Sequence, residues 1–175
     1  MHCRGYTLAE LMIVVAMVGV LATLAVYGVR KYVLAAKSGE AMSMITAIKA
    51  AEENYRDETF VYLGTADYTA WHPVNTPGAF KTEWNADNGA ASAVMRQLGV
   101  TTANPVYFTY GVVSGRAGDK IPVPPTTKSK FNFPGTVNEP FYVAVAKGDL
   151  DGDGVFSYVL SHSLSAEVYL EKQGD

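Results

Sequence analysis

Cysteine is nearly missing from this sequence: Cys3 is the only one in 175 residues. A single thiol cannot close a disulfide within the chain, and neither a zinc-ligand spacing nor a Cys-His nucleophile pattern occurs. Strong net charge is missing as well. At a formal −3, the surface exerts no long-range pull on nucleic acid or anionic lipid. Proline does not occur between Met1 and His72, and no charged side chain occurs between Leu11 and Val29. The first gap leaves a long helix unbroken, and the second makes part of it apolar all round.

What fills that second gap is a run of about nineteen apolar or small residues. As a helix rising ~1.5 Å per residue it spans roughly 28 Å, close to the ~30 Å hydrocarbon core of a bilayer. Glu10 stands at its lip. A charged side chain inside a membrane costs on the order of 2.5–3.5 kcal/mol by insertion scales, so this carboxylate needs a partner or a task. An ordinary secretory signal fits poorly, because it wants about 7–15 apolar residues, a small-x-small cut site and no acid near its start.

Ahead of the run lies a very short polar leader, Met1-His2-Cys3-Arg4, then Gly5, an aromatic, and Thr7-Leu8-Ala9-Glu10-Leu11-Met12-Ile13-Val14. This string resembles the class III signal of type IV prepilins and of the pseudopilins of type II secretion. The resemblance implies that a prepilin peptidase cuts the Gly5–Tyr6 bond and methylates Tyr6 as the first mature residue. It implies that Glu10 neutralises the amino terminus of a neighbouring subunit in a filament. Two opposite charges in a low-dielectric bundle are each costly alone and tolerable together. Losing residues 1–5 would remove Cys3 and Arg4, leaving a mature chain without cysteine and one unit more negative. The chain departs from many pilins in having no cysteine pair near its carboxy terminus, and from many family members in having no proline near Gly28.

The expected organisation is a leader over residues 1–5, a transmembrane and assembly half of a long helix over 6–29, an amphipathic half over 30–58, and a globular head over 59–175. Beyond Arg30, Leu34, Ala41, Ile45, Ile48 and Tyr55 share one helical face, while Lys37, Glu40, Lys49, Glu53 and Arg56 fall on others. Gly19, Gly28 and Gly39 are the points where the helix could loosen or allow close approach. Residues after Arg30 are placed outside the cytoplasm. A connecting loop over 59–105 carries Trp71 and Trp84 as anchors, and Asn88 is the expected cap of a short helix from Gly89 to Leu98 stopped by Gly99. Alternation then predicts strands over 106–113, 141–146, 155–160 and 166–170. The fold class is α+β, a long amino-terminal helix packed on a carboxy-terminal antiparallel sheet, as in pilins.

Two stretches of the head invite a ligand. Asp149, Asp151 and Asp153 alternate and are followed by Gly154, which matches the first half of an EF-hand calcium loop. On that template Val155 offers a carbonyl and Ser157 an oxygen, but Leu160 stands where the closing bidentate Glu belongs. Calcium is the expected ion, and it also occurs in pseudopilin relatives. The loop from Ser114 to Glu139 carries Arg116, Lys120, Lys128 and Lys130 against Asp119, with Pro122, Pro124, Pro125 and Pro134. It lacks the aromatic spacing of a nucleic-acid platform and reads as solvated surface. His72 and His162 lie far apart, and Ser161-His162-Ser163 has no acid placed to orient the imidazole, so no catalysis is expected.

These readings converge on a structural subunit of a type IV pilus. It is held in the bacterial inner membrane as a precursor, handled there by the peptidase and the assembly machinery, and polymerised with copies of itself into a surface filament for adhesion or motility. A type II secretion pseudopilin shares the same signal, and a monomeric membrane-anchored binding module is the alternative of another class.

Overall fold

The computed structural model describes residues 5–86, 89–125 and 136–171. The Met1–Arg4 leader, the Asn88 cap, and Lys128, Lys130 and Pro134 of the basic loop lie outside these residues. The chain divides into two compact units, Met1–Val33 and Leu34–Asp175.

Helix α1 runs from Leu8 to Thr59, without the proline that would break it. In the first unit its apolar side chains, Leu11, Ile13, Leu21 and Leu24 among them, are all more than half exposed within the chain. None of the most apolar window is buried. At the other end Phe60 adopts φ 64°, the left-handed conformation that ends helices, and its N–H returns to the Arg56 carbonyl at 2.7 Å.

In the second unit, α1 from Leu34 onward lies on a four-stranded antiparallel sheet: β1 (Thr109–Gly115), β2 (Phe141–Gly148), β3 (Ser157–His162) and β4 (Val168–Glu171), in the order β1-β2-β3-β4. Short helix α2 (Ala90–Gln97) precedes the sheet, and Gly99 at φ 70° turns the chain out of it. The predicted first strand begins three residues late. Val106 pairs with Thr82 of the connection instead of with β2.

Ala41, Ile45 and Ile48 of α1 meet Tyr110, Val112, Tyr142, Ala144, Ala146 and Val159 in one core. Phe141, Val143, Val145, Tyr158 and Leu160 point to the other face, where Trp71 and Ile121 cover them. The sheet is thus buried on both sides, and its strands show runs of buried residues where a half-exposed sheet would alternate. The connection over 59–105, through Trp71, and the loop between β1 and β2, through Ile121, produce this second cover, which strand periodicity could not reveal.

The same connection closes the free edge of β1. Thr65 and His72 donate their N–H groups to Val112 and Tyr110 carbonyls, each at 2.9 Å, and Tyr110 N–H returns to His72 at 2.6 Å. An edge that could template another strand is occupied by the chain itself.

Charged residues flanking the packed face of α1 bind backbone rather than point to water. Lys37 Nζ donates to the Leu150 carbonyl at 2.7 Å and Lys49 Nζ to Ser165 at 3.0 Å. Glu40 accepts from Tyr107 N–H at 2.7 Å, and Glu52 from Leu63 N–H at 3.0 Å. Glu52 belongs to the buried face, unlike Tyr55, which is only half-buried and meets Gln97 through its hydroxyl.

Candidate functional site

At the amino terminus Gly5 and Tyr6 precede the helix and are exposed, and nothing lies within 4 Å of where a Cβ on Gly5 would sit. The Gly5–Tyr6 bond stands clear of the rest of the described chain. The helix then starts with a capping box. Thr7 Oγ1 accepts from the Glu10 N–H at 3.3 Å, while Glu10 Oε2 accepts from Thr7 N–H and from Thr7 Oγ1, both at 2.8 Å. This satisfies otherwise unpaired backbone donors and puts a carboxylate at the positive end of the helix. The signal Thr-x-x-Glu was present in the sequence, but the expectation for Glu10 rested on a neighbouring subunit alone. Within one chain, Thr7 already gives the carboxylate a partner.

Asp149, Asp151 and Asp153 lie in the turn between β2 and β3. Each presents a carboxylate oxygen, and these oxygens all fall within 4.8 Å of one another. Asp149 is buried and grips the turn from inside, accepting from Gly152 N–H at 2.8 Å and Gly154 N–H at 3.3 Å. Gly152 and Gly154 take φ of 85° and 83°, a conformation that suits glycine. Asp151 and Asp153 are exposed and accept from Asp153 N–H at 3.3 Å and Val155 N–H at 2.7 Å. Ser157 is fully buried within β3, and Leu160 is committed to the core facing Trp71. Three carboxylates are therefore gathered in one glycine-bearing turn, and the position where an EF-hand carries its closing Glu is a core residue.

The other candidate residues are structural. Trp71 and Trp84 are buried anchors, as expected. His72 is buried at the edge of β1, with Nδ1 2.8 Å from Ser92 Oγ and its ring edge-on to Trp84. Packing of the connection took it inside. His162 is half-buried on β3, stacked on Tyr169, and its pKa is lowered by burial and by Lys49. In the basic loop, Arg116 N–H is held by Asp119 at 2.7 Å and Lys120 bridges to Thr136.

Residues 1–26 match the family described as the prokaryotic N-terminal methylation motif. The type IV major fimbrial protein FimA of Dichelobacter nodosus is 33% identical over 119 residues, covering 67% of this chain and 72% of its own. The chain belongs to the type IV pilin family. The type IV major pilin protein PilE1 of Neisseria gonorrhoeae is 32% identical over 99 residues, so this pilin spans only 55% of that relative. The type IV major pilin protein PilA of Myxococcus xanthus is 36% identical over 70 residues, 40% of this chain and 32% of its own. No solved structure matches significantly. As a pilin the chain is a structural rather than catalytic protein, with a membrane-type helix at its amino terminus.

Proposed function

We propose that this pilin is a filament-forming subunit of a type IV pilus, stored in the inner membrane, cut after Gly5, methylated on Tyr6 and polymerised through the first half of α1. The observation that carries this reading is a helix whose apolar side chains are exposed all round within the chain, beginning at a capped acid. Such a surface needs lipid or other helices, and assembly exchanges one for the other. Glu10 gives the exchange a register, because a neighbour's amino terminus is the cation that best matches its charge. The likeness to proteins named as major pilins and a major fimbrial protein supports a filament role over a monomeric binding module.

Mass spectrometry of the amino terminus tests the processing step. A chain beginning at methylated Tyr6 is expected, and one retaining Met1 rejects the reading. Surface filaments, rather than a secretion defect in a deletion strain, separate a pilus subunit from a pseudopilin.

The reading includes a calcium ion at Asp149, Asp151 and Asp153. Convergence of three carboxylates on one small volume supports it, since a divalent cation would relieve their mutual repulsion. With Leu160 in the closing position, water or backbone carbonyls would complete the coordination.

A further inference from the structure

Four charged side chains of α1 grip the backbone of the head, and Glu52 differs from the other three in its surroundings. Lys37, Glu40 and Lys49 are only partly buried, and Glu40 also has Lys81 at 3.5 Å. Glu52 is 0% exposed, and only one of its oxygens is matched: Oε2 accepts from Leu63 N–H, while Oε1 has no partner among the described residues. Among the described residues no cation is paired with it. On α1, Glu53 adds like charge, Arg56 is shared between Glu53 at 3.6 Å and the Tyr62 hydroxyl at 3.1 Å, and Lys49 is bound to Ser165. Tyr62 comes from the connection and Tyr142 from β2, their rings edge-to-face at 4.8 Å, and the buried Tyr142 hydroxyl has no hydrogen-bond partner among the described residues. On β3, His162 has its pKa lowered by burial and by the charge of Lys49.

The residue that Glu52 holds begins the segment covering the edge of β1. Leu63 is followed by Gly64, where a Cβ would lie 2.5 Å from Ser114 N, and then by Thr65, which pairs with Val112 and Ser114. We propose that Glu52 is a proton-operated latch: carrying a proton it seals the segment from Tyr62 to Thr65 onto β1, and losing it opens that segment to water. An ionised carboxylate with one hydrogen bond and no cation is poorly tolerated inside a core. The least disruptive relief is local, because the segment is short, is only half-buried from Leu63 to Thr65, and on lifting would let water reach Oε1. Burial, reinforced by Glu53, raises the carboxyl to about 8 against the Leu63 hydrogen bond, which places the transition in mildly alkaline solution.

The test uses the full chain in detergent micelles. Carbon-13 NMR of the glutamate carboxyls should show one titrating near pH 8 and missing in Glu52→Gln, which keeps an acceptor for Leu63 but cannot ionise. Amide exchange at Thr65, corrected for its intrinsic pH dependence, should quicken at least tenfold between pH 6 and pH 9 in the native chain and stay level in the variant. Equal exchange in the two proteins, or no quickening in the native chain, overturns the latch. Should the variant not fold, the native titration decides alone: a Glu52 midpoint between pH 4 and 5 overturns it too. None of these readouts depends on filament formation, so the latch and the pilus reading stand or fall separately.

Discussion

Glu10 has two partners to answer to, Thr7 in its own chain and a neighbour's amino terminus in the proposed filament, and the two can be told apart. Thr7→Ala removes the cap and should cost about 0.5–2 kcal/mol of helix-end stability while leaving the charge in place. Filament yield is then expected to survive. Glu10→Ala loses cap and charge together, and should leave the protein in the membrane but out of filaments. Counting sheared filaments from the two strains checks this, and equal loss in both would assign the defect to capping. Glu52 makes a residue-scale prediction about stability. Below the unfolded carboxyl value near 4.5 both states keep the proton and the fold is fully stable with respect to this group. As pH rises toward about 8 the unfolded chain releases the proton and the folded chain keeps it, so stability falls; above 8 the loss is complete. At pH 7 the cost is about 3 kcal/mol by that linkage. Glu52→Gln should therefore melt higher than the native chain at neutral pH, and its melting temperature should vary less with pH in circular dichroism.

At the scale of elements, the sheet packs by close approach at three glycines. A Cβ on Gly148 would lie 2.7 Å from the Phe108 ring, one on Gly115 2.5 Å from the Phe141 ring, and one on Gly64 2.5 Å from backbone Ser114 N. A ring can shift and a backbone in a paired strand cannot. Gly148→Ala is thus expected to cost about 1–3 kcal/mol, the usual range for overpacking, and Gly64→Ala the upper end of it or more. Urea titration of the two variants gives the ranking. The turn between β2 and β3 yields a second test. If calcium binds, an excess of about a hundredfold over its Kd adds about 2.7 kcal/mol to stability. Chelation should then lower the melting temperature of the native chain, and Asp151→Asn should blunt that response. An unchanged melt would return these acids to a solvated hairpin.

For the whole molecule, two kinds of surface answer to two environments. The first unit exposes apolar side chains along α1 from Leu11 to Val29, a surface that water does not accommodate. The second unit hides its apolar residues on both faces of the sheet and covers the edge of β1 with its own chain, a surface suited to water. A head with no disulfide keeps this arrangement through side chains of α1 that bind the Leu150, Tyr107, Ser165 and Leu63 backbone. In the proposed filament, polymerisation would fall to the first unit. Substituting a head core residue such as Ile45 with Ala should cost about 2–5 kcal/mol and lower the amount of protein. The chain that remains should still be cut after Gly5. Immunoblotting for precursor and mature forms distinguishes the two outcomes.

The long helix, its apolar stretch, the four antiparallel strands and the acidic turn were all legible in the residues themselves, because each is written in local periodicity or spacing. The three aspartates could be picked out for the same reason, Gly5, Tyr6 and Glu10 were singled out by the resemblance to a prepilin signal, and Thr7 stood there unread as the partner of Glu10. What only the tertiary structure decided were the destinations of groups whose partners lie far along the chain. His72 went inside because the connection lies along β1, and Val106 left the first strand for Thr82. Glu52 joined the buried face because an N–H of Leu63 waited there, while its neighbour Glu53 turned to Arg56 and Tyr62. A helical repeat distinguishes one face from another, but whether a charged side chain on a face meets water, a cation or a bare amide depends on which distant segment folds back over it.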